Sequence, residues 1–269
     1  ASYNDVEALL DPQVAGEPQF TAKLQSIGGK RIATGQNFDD NGKLTGDVLL
    51  LDGKAAEALA ESMRSPQAKI TVASVESKPS TRRPAAPFTT STLQQEASRK
   101  LRMSAKQTMD TAQSLYQEGH ITYMRTDSPT LSVQAINAAR SQASSMFGSQ
   151  FVPDKPRVYQ GKNKSAQEAH EAIRPAGEVF KTPAELSRVL SGRALDLYEL
   201  IWKRTVASQM EDAKVSTTTA KITVGPLADG GTAEFTASGT VVTFRGFMAA
   251  YEESTDESRN EDENNERES

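Results

Sequence analysis

Hydrophobic and polar residues alternate along the first part of the chain, in short runs that turn signals separate. Such runs are typical of β-strands, whose side chains point alternately to two faces. They are PQFTAKLQSI, KRIATGQ, DVLLL and, further on, KITVASVES. The exception, KAAEALAESMR at 54–64, predicts a helix with Ala56, Leu59 and Met63 on one side. Three prolines in SKPSTRRPAAPF then interrupt the pattern and mark a boundary.

Beyond the boundary, hydrophobic residues recur every three to four positions, which predicts helices. Thr92 and Ser104 each have a glutamine three residues further on, which is the capping-box spacing of a helix start. They predict two packed helices at about 93–102 and 105–118, the second with Gly119 as its left-handed cap. The packed face of this second helix is predicted to contain Met109, Ala112, Leu115 and Tyr116.

Three more helices are predicted in the central part of the chain. The first spans 133–147. A short one starts at Ser165 and must end at Pro175, because proline does not fit a helix interior. The third is a long helix at about 194–210, which follows a capping signal at Thr182.

After Ala213 the pattern returns to strand-like runs, which are KVSTTTAKITV, TAEFTA and TVVTFRGF. This order predicts a multidomain α+β fold, with a helical domain inserted into a β-rich domain. The β-rich domain is predicted at 1–84 and 211–250, and the helical domain at 85–210. Residues 251–269 have almost nothing apolar to bury and are predicted to be an acidic disordered linker or tail.

Composition narrows the classes of function. The chain has 269 residues, 36% of them hydrophobic, and no apolar run close to the roughly 18 residues of a membrane span. The absence of cysteine excludes disulfides, cysteine zinc sites and thiol catalysis, and two histidines leave little for a histidine metal site. The motifs of phosphate loops, zinc proteases and α/β-hydrolases do not occur either.

Charge is distributed unevenly along the chain. The net charge is −4, but residues 251–269 contain nine Asp/Glu and two Arg, whereas residues 76–205 contain nineteen Lys/Arg and twelve Asp/Glu. The central segment therefore has a balance of +7, which attracts a polyanion such as a nucleic acid. A solvated surface that is merely basic has the same signature.

The string GHITYMRTDSPTLS contains three residues that suit phosphate chemistry, Tyr123, Arg125 and Asp127. A phenol is a weak nucleophile until a cation or a general base favours the phenolate. In an extended segment Tyr123 and Arg125 point to the same face, so that one attacks a phosphate and the other neutralises its oxygens. The alternative is a tyrosine packed at a helix–strand junction, next to a surface arginine.

A second string, SAQEAHEAIRP, contains His170 and Arg174 four residues apart. Together they suit a phosphodiester, to which His170 donates a hydrogen bond or a proton. A histidine that pairs with a local carboxylate on a helix surface explains the same spacing.

These two strings, preceded by APFTTSTLQQEASRKL and followed by LYELIWKRTVASQM, resemble the bacterial type IA DNA topoisomerases, the topoisomerase I family. The four matches stand in the same order over about 125 residues. The flanking AKLQSIGGK and TVVTFRGFMAAYEE resemble the family's gate domain, so that the resemblance extends over nearly the whole chain. It implies a β-rich gate arch that hinges open and an inserted helical domain similar to a winged helix.

The resemblance also implies an activity. In that family the tyrosine of ITYMRTDS, here Tyr123, attacks a phosphodiester of single-stranded DNA and holds the 5′-phosphate covalently. Another strand passes, and the break is religated without ATP, which relaxes negatively supercoiled DNA. The implied catalytic residues are Tyr123, Arg125 and His170, and the implied DNA-binding residues are Arg125, Arg174, Asp127 and Lys164.

Parts of the family pattern are absent from the sequence. The Toprim domain, which binds Mg²⁺ in the whole enzyme, and the domain that completes the DNA groove do not occur, so no metal or cofactor is expected in this chain. We interpret the chain as a fragment with the gate and tyrosine domains, inactive alone. Its implied partners are single-stranded or negatively supercoiled DNA and the missing domains, in the cytoplasm at the nucleoid and away from any membrane.

Two other functions stay open. A non-enzymatic winged-helix module would bind duplex DNA through the 105–118 helix, although AKQTMDTAQSLYQE has one lysine and two acids. A structural or assembly module would dock its β-rich domain on a partner, with Tyr123 incidental. A preference for single-stranded DNA distinguishes the topoisomerase from the first alternative, and the effect of Tyr123→Phe distinguishes it from the second.

Overall fold

The structure is a computed structural model that describes residues 3–160 and 170–251. Its contacts divide the chain into two units. The first, here called the frame, comprises the residues up to Ser80 and Val215–Val241. The second, called the helical unit, comprises Thr81–Lys214 and the residues after the second part of the frame.

The unit boundaries differ from the sequence-based ones by a few residues. Residues 81–84, 211–214 and 242–250 were predicted in the β-rich domain and belong to the helical unit. Phe244, for example, packs against Phe151 of that unit, with ring centroids 5.0 Å apart. Apart from its first residue, the predicted acidic tail lies outside the described residues.

Six strands of the described chain form one sheet: β1 Glu7–Leu10, β2 Phe20–Ile27, β3 Lys30–Arg31, β4 Lys69–Arg82, β5 Ala213–Gly225 and β6 Ala233–Phe244. Their order is β1, β2, β6, β5, β4, and β3 pairs with β2 beside this path. β2 pairs antiparallel with β1, β3 and β6. A mixed fold of helices and an antiparallel sheet confirms the predicted α+β class.

The frame has its own hydrophobic core, formed by the sheet and by helix α1 (Gly53–Met63). Strand β5 contributes Ile222 and Val224, two residues apart, because alternate side chains of a strand share a face. Leu59 of α1 is buried in the same cluster, and Ala56 packs against it, which confirms the predicted helix face.

The α-helices described in the helical unit are α2 Thr90–Leu101, α3 Ala105–Gln117, α4 Val133–Phe147, α5 Pro183–Leu186 and α6 Gly192–Ala207. Helix α6 contacts each of the other four. Its residues Leu197 and Ile201 are fully buried. The single tryptophan of the chain, Trp202, is 3% exposed, and its Nε1 donates to Oε1 of Gln142 in α4 at 2.9 Å.

Capping residues account for several boundaries that were predicted. Ser104 forms the predicted capping box with Gln107 at the start of α3, where its hydroxyl accepts from the Gln107 N–H at 3.2 Å. Thr182 caps α5 in the same way. Gly119 follows α3 with a φ of +77°, in the left-handed region that glycine tolerates.

Two helices differ from their predicted bounds. Helix α2 begins three residues before the predicted start, because Thr89 rather than Thr92 is its N-cap and accepts from the Thr92 N–H. Thr89 and Thr92 each have a residue three positions further on that can complete a capping box, so the spacing alone does not show which of the two is the N-cap. Helix α6 starts at Gly192 and ends at Ala207, a few residues before the predicted end.

The strand predictions were wrong in four details. β4 continues past Pro79, which is tolerated because β4 is the last strand in the sheet order and has an edge that needs no hydrogen bonds. β6 is one strand through Ser238 and Gly239, where two were predicted. DVLLL forms only a single bridge, between Leu49 and Ile32, and β1 was not predicted at all.

Candidate active site

The Tyr123 segment follows α3 and was predicted to be extended. In the structure it has one isolated bridge, at Ile121, and is otherwise irregular. Ile121 and Met124 are buried, whereas Tyr123, Arg125 and Asp127 are exposed. All three chemically interesting side chains are therefore at the surface of the helical unit.

Exposure distinguishes Tyr123 from the tyrosines of the core. It is 48% exposed, and its ring meets that of Tyr116 edge to face with centroids 5.3 Å apart. Burial raises the pKa of Tyr159 to about 12, and burial likewise raises the pKa of the Tyr198 and Tyr251 hydroxyls. A raised pKa disfavours the nucleophilic phenolate, which argues against these three hydroxyls as nucleophiles.

An open pocket of about 530 Å³ brings together three of the predicted site residues, Arg125, Asp127 and His170. The rest of its wall consists of Thr89, Thr90, Ser91, Gln94 and Thr126. Tyr123 is not among the described residues that line it. A guanidinium, an imidazole and several hydroxyls are suitable donors for a phosphate, while Asp127 adds a negative charge to the same wall.

The helix predicted to end at Pro175 is absent from its described part, residues 170–175. This stretch instead forms two isolated bridges, Ile173 with Phe88 and Pro175 with Ile121. A proline disfavours helical geometry in the residue before it, which explains the extended course. The Thr122 hydroxyl donates to the Ala172 carbonyl at 2.7 Å, so the segment after His170 is tied to the Tyr123 segment.

Arg174 is only 8% exposed and makes its contacts inside the protein. Its guanidinium donates to both carboxylate oxygens of Glu171, each at 3.0 Å, and to the carbonyls of Pro175 and Gly177, each at 2.9 Å. Burial by itself raises the pKa of Glu171, but hydrogen bonds from Arg174 and Ser132 lower that pKa more, and the net change is downward. The pair is a structural link, and the contact of Arg174 with DNA stays a prediction.

One predicted DNA-binding residue and one predicted helix start cannot be located in the structure. Lys164 and the helix start at Ser165 lie outside the described residues. Across 3–160 and 170–251, no cluster of three or more His, Asp or Glu side chains could hold a metal ion. No helix in the same ranges is long and apolar enough to cross a bilayer.

Some residues that line the pocket or contact Tyr123 were not predicted from the sequence. Thr89, Thr90 and Ser91 lie in APFTTSTLQQEASRKL, which carries the resemblance but has no chemical signal of its own. Tyr116 was predicted on the packed face of its helix, yet it is 43% exposed, because it packs on the exposed ring of Tyr123 instead.

Comparison with known proteins identifies the family. A family model described as DNA topoisomerase matches residues 27–268, which is most of the chain. The chain therefore belongs to the bacterial type IA DNA topoisomerases.

Individual relatives agree with this assignment. The chain is 55% identical over 263 residues to DNA topoisomerase 1 of Mycolicibacterium smegmatis and 52% identical over 262 residues to that of Streptomyces coelicolor. Each alignment covers 96% of this chain but only 28% or 27% of the relative, so the chain spans little more than a quarter of their length. The full-length topoisomerase I from Thermotoga maritima matches with a TM-score of 0.62 and 30% identity, over 88% of this chain and 34% of that one.

Proposed function

We propose that this chain provides the tyrosine part of a type IA topoisomerase active site that acts on single-stranded or negatively supercoiled DNA. The observation that carries the proposal is the exposed Tyr123 in the same short segment as Arg125, which lines one pocket with His170. In the reaction, the phenolic oxygen of Tyr123 attacks the phosphorus of a phosphodiester. The bond from phosphorus to the 3′ oxygen breaks, and the 5′-phosphate stays on Tyr123. The phenol gives up its proton and the departing 3′ oxygen takes one up, so the step is balanced.

Religation reverses these steps. The 3′ hydroxyl attacks the phosphotyrosine, and the phenol leaves with a proton. One phosphodiester is exchanged for another of similar energy, so the cycle needs no ATP. A second strand passes while the break is open, and release of negative superhelical strain gives the cycle its direction.

Arg125 and His170 have the charge and the donors that this reaction requires. The Arg125 guanidinium can bind two non-bridging oxygens and stabilise the charge that develops in the transition state. His170 donates a hydrogen bond to the phosphate or a proton to the leaving oxygen. Asp127 orients one of these cations, Arg174 supports the site through its ion pair, and Lys164 contacts the DNA backbone.

The rest of the proposed enzyme lies outside this chain, which spans about 28% of the relative from M. smegmatis. In the whole enzyme the Toprim domain would bind Mg²⁺, and this domain and the DNA-groove domain are the partners of the chain, in the cytoplasm at the nucleoid. We therefore expect the chain alone to bind single-stranded DNA weakly and neither to cleave nor to relax DNA.

The test mixes this chain with the separately prepared Toprim-containing part, a labelled single-stranded oligonucleotide and Mg²⁺. We expect a protein–DNA adduct that survives denaturation and maps to Tyr123. Tyr123→Phe should abolish it, because the ring is kept and only the attacking oxygen is lost. Tyr3→Phe changes a similarly exposed tyrosine of the frame, 41% exposed, and should leave the yield unchanged.

Two outcomes would contradict the proposal. The first is no adduct when both parts are folded and associated, and the second is an adduct that persists in Tyr123→Phe. Relaxation of a supercoiled plasmid by this chain alone would refute the divided active site.

The winged-helix alternative is disfavoured by the charge of α3. Its single lysine, Lys106, donates to Asp110 at 2.6 Å and is already paired. Titration of the chain with single-stranded and double-stranded oligonucleotides separates the two functions, because a module that reads duplex DNA binds the double strand more tightly.

A further inference from the structure

Thr90 joins the start of α2 to the segment that contains Arg125. Its backbone N–H donates to the Thr126 carbonyl at 2.9 Å. Its hydroxyl donates to the Met124 carbonyl at 2.8 Å and accepts from the Thr126 N–H at 2.9 Å. These hydrogen bonds hold the residue before Arg125 and the residue after it.

Helix α2, from which Thr90 makes these contacts, is held in place by buried side chains. Leu93 and Ala97 are fully buried in the core of the helical unit. Glu96, 2% exposed, accepts a hydrogen bond from the Tyr251 hydroxyl at 2.7 Å. A contact from the first turn of such a helix can therefore fix a neighbouring segment with precision.

The Arg125 segment depends on such support, since residues 122–127 belong to no helix or strand. Met124 anchors it by packing, at 5% exposure, but the side chain of Arg125 is exposed. The direction of this side chain is set by the backbone between Met124 and Thr126. The Thr90 hydroxyl bonds the carbonyl at one end of that stretch and the N–H at the other.

We propose that Thr90 is a positioning residue, whose hydroxyl sets the backbone around Arg125 and thereby the approach of its guanidinium to a phosphate in the pocket. The proposal rests on the proposed function, because it requires Arg125 to act on a phosphodiester. A displacement of about 1 Å in an active site can lower a rate on the order of 100-fold. The effect should fall on the chemical step rather than on DNA affinity, because many other contacts contribute to affinity.

The test compares Thr90→Val and Thr90→Ser in the intact protein that carries this sequence. Valine keeps the shape of threonine without the hydroxyl, and serine keeps the hydroxyl. Thr205→Val is the matched control, because Thr205 is fully buried in α6 and its hydroxyl donates to the Ile201 carbonyl at 2.8 Å. For each variant we would measure the Kd for a labelled single strand, the single-turnover rate of adduct formation at saturating DNA, and the Tm.

We expect Thr90→Val to slow adduct formation by about 10- to 100-fold while the Kd changes by less than about twofold. Thr90→Ser should restore most of the rate. Thr205→Val should lower the Tm through its lost buried hydrogen bond and leave the rate unchanged.

The positioning role is wrong if Thr90→Val cleaves at the wild-type rate, if Thr90→Ser is as slow as Thr90→Val, or if Thr205→Val is equally slow. A loss that appears only in the Kd also refutes it. Failure of the proposed function looks different, because then the wild type forms no adduct, or Tyr123→Phe still forms one.

Discussion

Arg125 and Arg174 have the same guanidinium but lie in opposite environments. Arg125 is exposed and lines the pocket, whereas Arg174 is 8% exposed and its guanidinium is bonded to Glu171 and to two carbonyls. Binding a phosphate through Arg174 would require these bonds to break, at a cost that a solvated arginine does not have. The environment of each residue, more than its type, therefore decides how readily its guanidinium can reach a phosphate.

Glu171→Gln tests the ion pair with Arg174. At pH 7 we expect a loss of about 1 to 3 kcal/mol in the free energy of unfolding, because the neutral amide is a weaker acceptor for the buried guanidinium. The pKa of Glu171 is below its ordinary value of 4.5 in the folded protein. The carboxylate therefore contributes stability above pH 4.5 that is lost as the pH falls through the folded pKa. Urea unfolding should give the full difference at pH 7 and a shrinking one as the pH falls below 4.5.

Glu178→Gln is the matched control, since Glu178 is exposed and close in sequence. Its effect should stay within about 0.5 kcal/mol at every pH. If the difference between wild type and Glu171→Gln did not change with pH, the ion pair would not be its cause.

At the scale of elements, two glycines with positive φ allow a comparison. Gly246, the first residue of the 3₁₀ helix Gly246–Ala249, has a φ of +52°, and a Cβ there would overlap the backbone of Asp212 and lie 2.6 Å from the Glu211 carbonyl oxygen. Gly119 has a φ of +77° but open space around it. We expect Gly119→Ala to cost about 1 to 2 kcal/mol of unfolding free energy and Gly246→Ala clearly more, because the backbone must also move. Equal costs in urea unfolding would contradict the clash.

The elements that could be predicted from the sequence have local causes. Helix α4 has its predicted bounds, because Ser132 caps its start and Gly148 ends it. The capping box of α3 lies within four consecutive residues. Tyr123, Arg125 and Asp127 were also found locally, since they belong to one short string.

Features that depend on distant partners could not be predicted in this way. The course of β4 through Pro79 depends on its place at the end of the sheet order. The pocket combines His170 with the start of α2, and the bonds of Thr90 reach 34 and 36 residues along the chain, to Met124 and Thr126. The spacing of residues in the sequence does not indicate contacts between segments that are far apart along the chain.

At the scale of the whole chain, the uneven charge predicts how DNA binding responds to salt. For single strands, the logarithm of the association constant falls with the logarithm of salt concentration by about 0.7 per neutralised phosphate. Arg125→Gln should weaken binding and reduce this slope by about 0.7, since one phosphate contact is lost. Lys23→Gln makes the same charge change in the frame, where Nζ of Lys23 lies 3.6 Å from Oε1 of Glu7. This variant should leave the slope unchanged. Fluorescence anisotropy titrations of the chain measure both, and an unchanged slope in Arg125→Gln would argue against its contact with phosphate.

The fluorescence of Trp202 reports on the unfolding of the helical unit. It is the only tryptophan of the chain, is 3% exposed, and is hydrogen-bonded to Gln142. Its emission therefore follows the unfolding of the unit that contains Tyr123, while the frame contributes no tryptophan signal. Far-ultraviolet circular dichroism records both units. The two curves from one denaturant titration thus separate the stability of the tyrosine-bearing unit from that of the frame, without a cut in the chain or an added label.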